Sequence, residues 1–310
     1  MTATAKVRLL GAGDVREIAA RLGVRPTKKL GQNFVIEPGT VRQIAALAGP
    51  FASDDVILEV GPGLGSLTLA LLEAVGQSGA RLVAVEIDPV LAAELPKTIA
   101  SRAPALADRV TVIHADAMRY GENHPDVTAR SPEGGGPGGL VCTPRVIAAN
   151  LPYNVAVPVV LHLLAAFPSI QRGVVMVQAE VADRMCAGPG SRVYGAPSAK
   201  LAWFASARLA GTVPRGVFWP VPNVDSKLVA FTRHDPPAAA VERADVFAVI
   251  EAAFGQRRKT LRAALATWAG SPAGAEVLLR AAGVDPGARG ESLGIAEFAQ
   301  IASAHTIRKS

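Results

Sequence analysis

Four consecutive residues, Asn150 to Tyr153 (Asn-Leu-Pro-Tyr), combine hydrogen-bond acceptors with a flat aromatic ring. The Asn150 amide oxygen and the Leu151 carbonyl oxygen can accept the two hydrogens of an exocyclic amine, while Pro152 has no N–H and restricts the turn. The Tyr153 ring offers a face on which a nucleobase can stack. The alternative is a proline turn at a strand end, followed by a tyrosine that belongs to the core.

The chemistry that fits these four residues is methylation of an adenine amine. The exocyclic nitrogen of adenine is a poor nucleophile because its lone pair is delocalised into the ring. Two acceptors that hold its hydrogens make the nitrogen more pyramidal and therefore more reactive. No strong general base is needed, since the methylated ammonium product loses its proton readily. We therefore expect Asn150, Leu151 and Tyr153 to form a catalytic site for an adenine base.

A second group of candidate residues is the glycine-rich stretch Glu59–Gly65 (Glu-Val-Gly-Pro-Gly-Leu-Gly). Glycines such as Gly61 and Gly63 allow a tight turn and a close approach of the backbone to a ligand. A helix that follows the turn offers free N–H groups. The GxGxG spacing differs from the GxGxxG fingerprint of dinucleotide-binding enzymes, so it disfavours a nicotinamide cofactor. A tight strand-to-helix turn without a ligand is the structural alternative.

Two acidic residues follow the next two predicted strands. Glu86 can accept hydrogen bonds from ribose hydroxyls, as an acid at this position does in nucleotide-binding folds. Asp116 can accept a hydrogen bond from an adenine amine. Either residue alone fits a surface acid at a strand end. Together with Gly61, however, they predict a pocket for a nucleoside cofactor, and we expect S-adenosylmethionine as the methyl donor.

The elements that must position these residues alternate between strands and helices. Helical spacing follows Gly65 and Pro158, and a short helix is predicted near Val15–Leu22. Such alternation predicts an α/β domain with a parallel sheet covered on both faces, which binds ligands at the carboxyl ends of its strands. The predicted strands are Val56–Val60, Leu82–Val85, Val110–Ile113, Val146–Ala149, Val174–Val177, Ala205–Val213 and Lys227–Thr232.

The sequence predicts three regions. Residues 1–55 form a basic N-terminal lead-in that packs on the catalytic domain, and residues 56–235 form that domain. The proline- and alanine-rich stretch Asp235–Ala240 marks a break, after which residues 241–310 show helical spacing. We expect a small all-helical domain there. The Gly-rich stretch Ser131–Gly139 is interpreted as a surface insertion, with no function assigned.

Composition excludes several classes of protein. The 310 residues include two cysteines without a CxxC pair and five scattered histidines, so no metal site is expected. The longest apolar stretch, Val155–Phe167, is too short to cross a bilayer, so no membrane partner is expected. The two unpaired cysteines, and charged residues that interrupt any signal-peptide core at the N-terminus, predict a cytoplasmic protein. The net charge is +6, and residues 1–33 and 251–262 carry +5 and +3 of it. Basic charge gathered in two segments favours contact with a phosphate backbone, although two solvated faces would look the same.

These motifs resemble the ribosomal RNA adenine dimethyltransferases, the kasugamycin-sensitivity enzymes of bacteria and their relatives. The resemblance covers nearly the whole chain, and the block Ala253–Arg262 resembles the small-subunit enzymes in particular. The stretch Gly121–Arg145 is longer than is usual in the family. The blocks that carry the resemblance are Lys28–Phe34, Glu59–Gly65, Val85–Asp88, Asp116–Met118, Asn150–Tyr153, Gln178–Glu180, Ala187–Gly190, Tyr194–Gly195, Val221–Ser226 and Ala253–Arg262.

The resemblance implies a Rossmann-like class I methyltransferase domain followed by a helical domain that recognises RNA. It implies dimethylation of two adjacent adenosines in a hairpin near the 3′ end of small-subunit rRNA, within an immature small subunit, by a monomeric enzyme. Phe218 could stack on the target base, and a core aromatic residue is an equal alternative. The donor contacts implied are Asn33, Val35, Gly61, Gly63, Glu86, Asp116 and Asn150. The RNA contacts expected are Lys28, Lys29, Arg257, Arg258, Lys259 and Arg262.

Three other functions are compatible with parts of the pattern. An adenine methyltransferase acting on large-subunit rRNA or DNA would share the Asn150–Tyr153 type of site, but not so close a copy of the Ala253–Arg262 block. A non-catalytic RNA-binding factor of ribosome assembly would keep the fold, and intact Glu86, Asp116 and Asn150 argue against it. An NAD-dependent oxidoreductase is disfavoured by the glycine spacing.

Overall fold

A computed structural model describes residues 6–24, 33–76, 78–121, 143–152, 155–237 and 241–309. Lys28, Lys29, Tyr153 and the stretch Ser131–Gly139 lie outside these ranges. The chain divides into two compact units. The first comprises Met1–Ala182 with Arg208–Arg233, and the second comprises Asp183–Ala207 with His234–Ser310.

The first unit is organised around a sheet whose strands agree closely with the predicted segments. Seven strands lie in the order β4-β3-β2-β5-β6-β9-β7, and β1 and β8 form a separate antiparallel pair. The strands are β1 (Phe34–Val35), β2 (Val56–Val60), β3 (Arg81–Glu86), β4 (Val110–His114), β5 (Val146–Asn150), β6 (Arg172–Gln178), β7 (Ala205–Val213), β8 (Phe218–Trp219) and β9 (Ser226–Arg233).

The sheet is mixed, whereas the alternation of strands and helices predicted a parallel one. Strands β2 to β6 pair in parallel, whereas β9 runs antiparallel to β6. Two α-helices lie between β6 and β7, which is enough for a crossover connection, whereas no α-helix lies between β7 and β9. The chain therefore returns directly after β7, and β9 runs opposite to β6. The parallel part still aligns the carboxyl ends of β2, β3, β4 and β5 at one edge.

Helices connect the strands, and acidic side chains cap two of them. The Glu37 carboxylate accepts hydrogen bonds from two backbone N–H groups at the start of the second helix, and the Asp88 carboxylate does so at the fourth. The helices are α1 (Ala12–Arg21), α2 (Pro38–Ala48), α3 (Ser66–Val75), α4 (Pro89–Arg102), α5 (Ala156–Ala166), α6 (Ala179–Met185), α7 (Ala196–Leu201), α8 (Arg243–Gly255), α9 (Leu261–Ala264), α10 (Pro272–Ala281) and α11 (Ile295–Lys309).

The described part of the N-terminal lead-in is attached to α4 by ion pairs. Asp14 contacts Arg102 at 2.7 Å, and Arg21 contacts Glu94 at 2.5 Å. The Gly11 N–H and then the Arg102 guanidinium lower the pKa of Asp14. Four of the seven cations in residues 1–33 lie in this described part, and at least Arg21 is engaged within the protein.

The second unit is helical around an aromatic cluster. Phe254 packs against Tyr194 and Phe298, with ring centroids 5.7 and 6.0 Å apart, and the Tyr194 hydroxyl donates to the Leu293 carbonyl. Residues 183–207 group with this unit, although the sequence pattern assigned them to the sheet domain.

The helical spacing of residues 241–310 would place Arg257–Lys259 on a helix. In the structure these residues lie in a turn between α8 and α9. Helix α8 ends at Gly255, and the Lys259 N–H then closes the turn on the Gln256 carbonyl.

Candidate active site

The glycine-rich segment forms a sharp turn between β2 and α3. Gly61, Gly63 and Gly65 all have positive φ, at 67°, 58° and 97°. A side chain at Gly65 would also place its Cβ 2.8 Å from Leu95 Cδ1. The backbone conformation therefore favours glycine at all three positions, and the Leu95 side chain adds a steric reason at Gly65. The turn brings its own backbone to the carboxyl ends of the strands.

A cavity of about 300 Å³ lies at this edge of the sheet. Its wall is supplied by β1, the glycine-rich turn, and the carboxyl ends of β3, β4 and β5. Every donor-contact residue named from the sequence lines it, as does Leu151. These residues are Asn33, Val35, Gly61, Gly63, Glu86, Asp116 and Asn150.

Glu86 is fixed at the end of β3 by backbone donors. Its Oε2 accepts a hydrogen bond from the Gly63 N–H at 3.0 Å, and its Oε1 accepts one from the Asp88 N–H at 2.9 Å. Burial raises the pKa of Glu86 above its ordinary value, while the N–H groups of Asp88 and Gly63 oppose the rise by favouring the charged carboxylate. The Glu86 carboxylate, which is expected to accept from ribose hydroxyls, is thus also hydrogen-bonded to the glycine-rich turn.

The Asn150 amide is oriented by the backbone of a distant segment. Its Nδ2 donates to the Asn33 carbonyl oxygen at 3.1 Å. This contact uses an amide hydrogen, so the Oδ1 atom is left to accept from a ligand. The Leu151 N–H donates to the Met176 carbonyl at 3.1 Å and extends the pairing of β5 with β6. The two acceptors expected for an amine are therefore held by backbone contacts, Asn150 by Asn33 and Leu151 by β6.

The part of the cavity wall after β3 and β4 combines a carboxylate with exposed apolar side chains. Asp116 is exposed, and its Oδ1 accepts from the Met118 N–H at 2.9 Å. Ile87 and Met118 line the cavity, yet they are 54% and 37% exposed. Large apolar groups left open to solvent inside a concave site suit a flat ring system as ligand.

Phe218 does not line the cavity. It is 1% exposed, belongs to the hydrophobic core and pairs with Val35 across β1 and β8. Its placement fits the core-aromatic alternative and gives no support to stacking on a base. Among the described residues, the aromatic one that lines the cavity is Phe34, whose ring stacks on Trp219 with centroids 6.4 Å apart. Sequence reasoning placed Phe34 at the end of the block Lys28–Phe34 without assigning it a role.

The four cations of residues 251–262 differ in their surroundings. The Arg257 guanidinium contacts the Glu291 carboxylate at 2.9 Å and donates to the Arg192 carbonyl. Arg262 contacts the Glu276 carboxylate at 3.1 Å. The side chains of Arg258 and Lys259 are exposed and make no ion pair with another residue that the structure describes.

Two negative findings hold for the ranges that the structure describes. None of these helices is long and apolar enough to cross a membrane. These ranges also contain no group of three or more histidine, cysteine or acidic residues placed to hold a metal ion.

Comparison with known families shows to which family the chain belongs. The family model described as "Ribosomal RNA adenine dimethylase" matches residues 24–306. The chain belongs to this family. The match spans both compact units, so it covers the cavity and the C-terminal helices alike.

The family's curated members include sequences closely similar to this one. "Ribosomal RNA small subunit methyltransferase A" from Thermobifida fusca is 60% identical, over 96% of this chain and 97% of that protein. The protein of the same name from Streptomyces avermitilis is 57% identical, over 97% and 96%.

Solved structures share the fold at low sequence identity. A dimethyladenosine transferase from Plasmodium falciparum has a TM-score of 0.65 at 21% identity, covering 86% of this chain and 95% of that one. The 23S rRNA methyltransferase ErmE has a TM-score of 0.57 at 24% identity, covering 88% and 100%. Both confirm the α/β methyltransferase fold with C-terminal helices.

Proposed function

We propose that this protein transfers methyl groups from S-adenosylmethionine to the N6 amine of two adjacent adenosines near the 3′ end of small-subunit rRNA. The observation that carries the proposal is one cavity that joins two kinds of site. The donor part of the cavity, formed by Glu86, the glycine-rich turn and Asp116, suits a nucleoside donor. The acceptor part, formed by Asn150 and Leu151, presents the two hydrogen-bond acceptors that an adenine amine requires.

The donor part of the cavity follows from the chemistry of its wall. The Glu86 carboxylate would accept from the ribose hydroxyls, and Asp116 would accept from the adenine amine of the donor. Ile87 and Met118 supply apolar surface for the purine ring. The donor itself supplies an electrophilic methyl group on a positively charged sulfur.

The acceptor part prepares the target amine. Asn150 Oδ1 and the Leu151 carbonyl would take the two N6 hydrogens and draw the nitrogen lone pair out of the ring. Because Asn33 and Met176 hold these two residues in place, the acceptors need little rearrangement when a base enters. Tyr153 remains our expected stacking surface, outside the described residues.

The relatives favour small-subunit rRNA over the other RNA and DNA substrates. Proteins named for small-subunit rRNA methylation are 57–60% identical across nearly the whole chain, whereas the large-subunit enzyme shares the fold at 24% identity. The small subunit is therefore the substrate we propose, and the presence of all seven expected donor contacts in the cavity wall supports catalysis over a purely structural role in assembly.

The exposed turn before α9 provides a prediction about RNA binding. Changing Arg258 and Lys259 to glutamine together should weaken RNA binding and lower the log–log salt slope by about 0.7–0.9 for each phosphate that is no longer neutralised. A control pair, Arg81→Gln with Lys97→Gln, removes equal charge from other surfaces and should leave the slope unchanged. Filter binding at several salt concentrations measures both, and equal slopes for the two double variants would contradict an RNA-binding role for this turn.

The form of the substrate tests how the target is selected. A cavity built around one base cannot distinguish a single hairpin among many, so selection must come from a wider surface. We expect methyl incorporation to be greatest with an immature small subunit, lower with naked rRNA, and lowest with the isolated hairpin. The three are compared at equal target concentration and fixed salt. Equal efficiency on all three would show that the hairpin alone carries the signal.

A further inference from the structure

Glu59 is a buried acid in the cavity wall to which the proposed chemistry gives no role. It lies in β2, one residue before the strand ends, and is 1% exposed. Its Oε2 atom has no hydrogen-bond partner among the described residues, and neither has the nearby Thr68 hydroxyl at the start of α3. A buried polar oxygen without a partner is costly, so this arrangement calls for an explanation.

The surroundings of Glu59 favour its neutral form. Burial raises the pKa of Glu59 to about 8, the Glu86 carboxylate raises it further, and the polar groups of Thr68 only partly oppose these effects. The residues that line the cavity include the acids Glu59, Glu86 and Asp116, with no Lys, Arg or His among the described ones. No cation of the wall therefore compensates a charge on Glu59.

Glu86 and Glu59 differ in how their carboxyl groups are supported. Glu86 accepts from two backbone N–H groups, which stabilise its ionised form. Glu59 Oε2 has no hydrogen-bond partner among the described residues, and the nearby Thr68 hydroxyl and N–H stabilise its charged form only in part. Two adjacent carboxyl groups in a poorly solvated wall resist double ionisation, and the proton is expected on the less supported one.

We propose that Glu59 is the proton-exchange site of the donor cavity: it is protonated when the cavity is empty and releases its proton to solvent when a cationic donor binds. The inference rests on the proposed use of the cavity by S-adenosylmethionine, which carries sulfonium and ammonium charges. The balance is simple, since the neutral acid and the cation become a carboxylate–cation pair and one proton passes to the buffer. Glu59 is thus a positioning residue, because its ionisation gives the cavity wall an additional negative charge when the cationic donor binds.

The direct test is calorimetry at pH 7 in buffers of different ionisation enthalpy. Binding of S-adenosylmethionine should release about 0.5–1 proton per site, because a group with a pKa near 8 is mostly protonated at that pH. The neutral nucleoside 5′-methylthioadenosine should bind without proton release. Donor binding without release, or equal release with both compounds, would overturn the inference.

Glu59→Gln identifies the source of the proton. The amide mimics the neutral acid, so the variant should bind the donor without releasing a proton. Release that persists in the variant would come from another group, with Glu86 the first candidate, and the inference would be wrong.

The wild-type pH profile provides an independent check if the variant does not fold. Donor affinity should rise between pH 6 and about 7.5, because less Glu59 has to lose a proton as the pH approaches its pKa. The comparison ends there because the α-ammonium group of the donor, with an ordinary pKa of about 7.7–8.0, begins to titrate. A flat profile would overturn the inference. Failure of the donor to bind at any pH would instead refute the proposed function, and this inference with it.

Discussion

Asn150→Ala should lower the turnover of methyl transfer by about 10²–10³, the usual effect of removing one preorganised polar contact from a reacting centre. The Asn150 Oδ1 atom is available as an acceptor because Nδ2 is engaged by the Asn33 carbonyl. Alanine removes that acceptor and leaves one N6 hydrogen unheld, so the amine stays conjugated with its ring. Single-turnover methylation of an immature small subunit measures the effect on the chemical step.

The control for this variant is Gln171→Ala. Gln171 is an exposed amide residue directly before β6, at the opposite end of the sheet from the cavity. Its replacement should change neither turnover nor thermal stability appreciably. Asn150→Ala should keep a cooperative thermal transition, because it removes only one hydrogen bond of about 0.5–1.5 kcal/mol. Turnover of Asn150→Ala close to that of the wild type would mean that the amine is activated elsewhere.

Glu86→Ala should weaken the binding of S-adenosylmethionine by about 10²-fold or more. Each hydrogen bond to a charged acceptor contributes roughly 1.5–3 kcal/mol, and the ribose offers two hydroxyls. The substitution also leaves the Gly63 N–H, which now donates to Glu86 Oε2, without its partner. The glycine-rich turn would lose that anchor in addition to the direct hydrogen bonds with the donor.

Calorimetry with the donor measures this effect, and Glu73→Ala is its control. Glu73 is a glutamate of α3 whose carboxylate contacts Arg42 at 2.6 Å on the surface. Exposed ion pairs contribute about 0–1 kcal/mol to stability, so this variant should bind the donor normally. If Glu86→Ala and Glu73→Ala bound the donor with affinities within twofold of each other, Glu86 would not be part of the donor site.

The sheet was predictable from sequence because its strands carry strong local signals. Val56–Val60 and Val146–Asn150 are short, almost entirely apolar runs, as expected for strands buried on both faces of a parallel sheet. Once these strands are placed, Glu86 and Asn150 follow at their carboxyl ends, and the rule that ligands bind there brings them to one cavity.

What sequence could not provide is information about distant neighbours. Arg257 looks like a surface cation in its own segment, yet its partners are Glu291 and the Arg192 carbonyl, 34 and 65 residues away. The burial of Phe218 could not be predicted for the same reason, since it depends on β1, which lies far earlier in the chain. Glu59 was visible in the glycine motif, but only the packing around it shows that its Oε2 atom is buried without a hydrogen-bond partner among the described residues.

The most direct test of the account combines the purified protein, S-adenosylmethionine with an isotopically labelled methyl group, and immature small subunits that lack the modification. The rRNA is digested to nucleosides and analysed by mass spectrometry. We predict labelled N6,N6-dimethyladenosine from two adjacent positions near the 3′ end of the small-subunit rRNA, and a rate about 10²–10³ lower with Asn150→Ala. Label on another atom, label only in large-subunit rRNA, or no transfer at saturating donor would contradict the account.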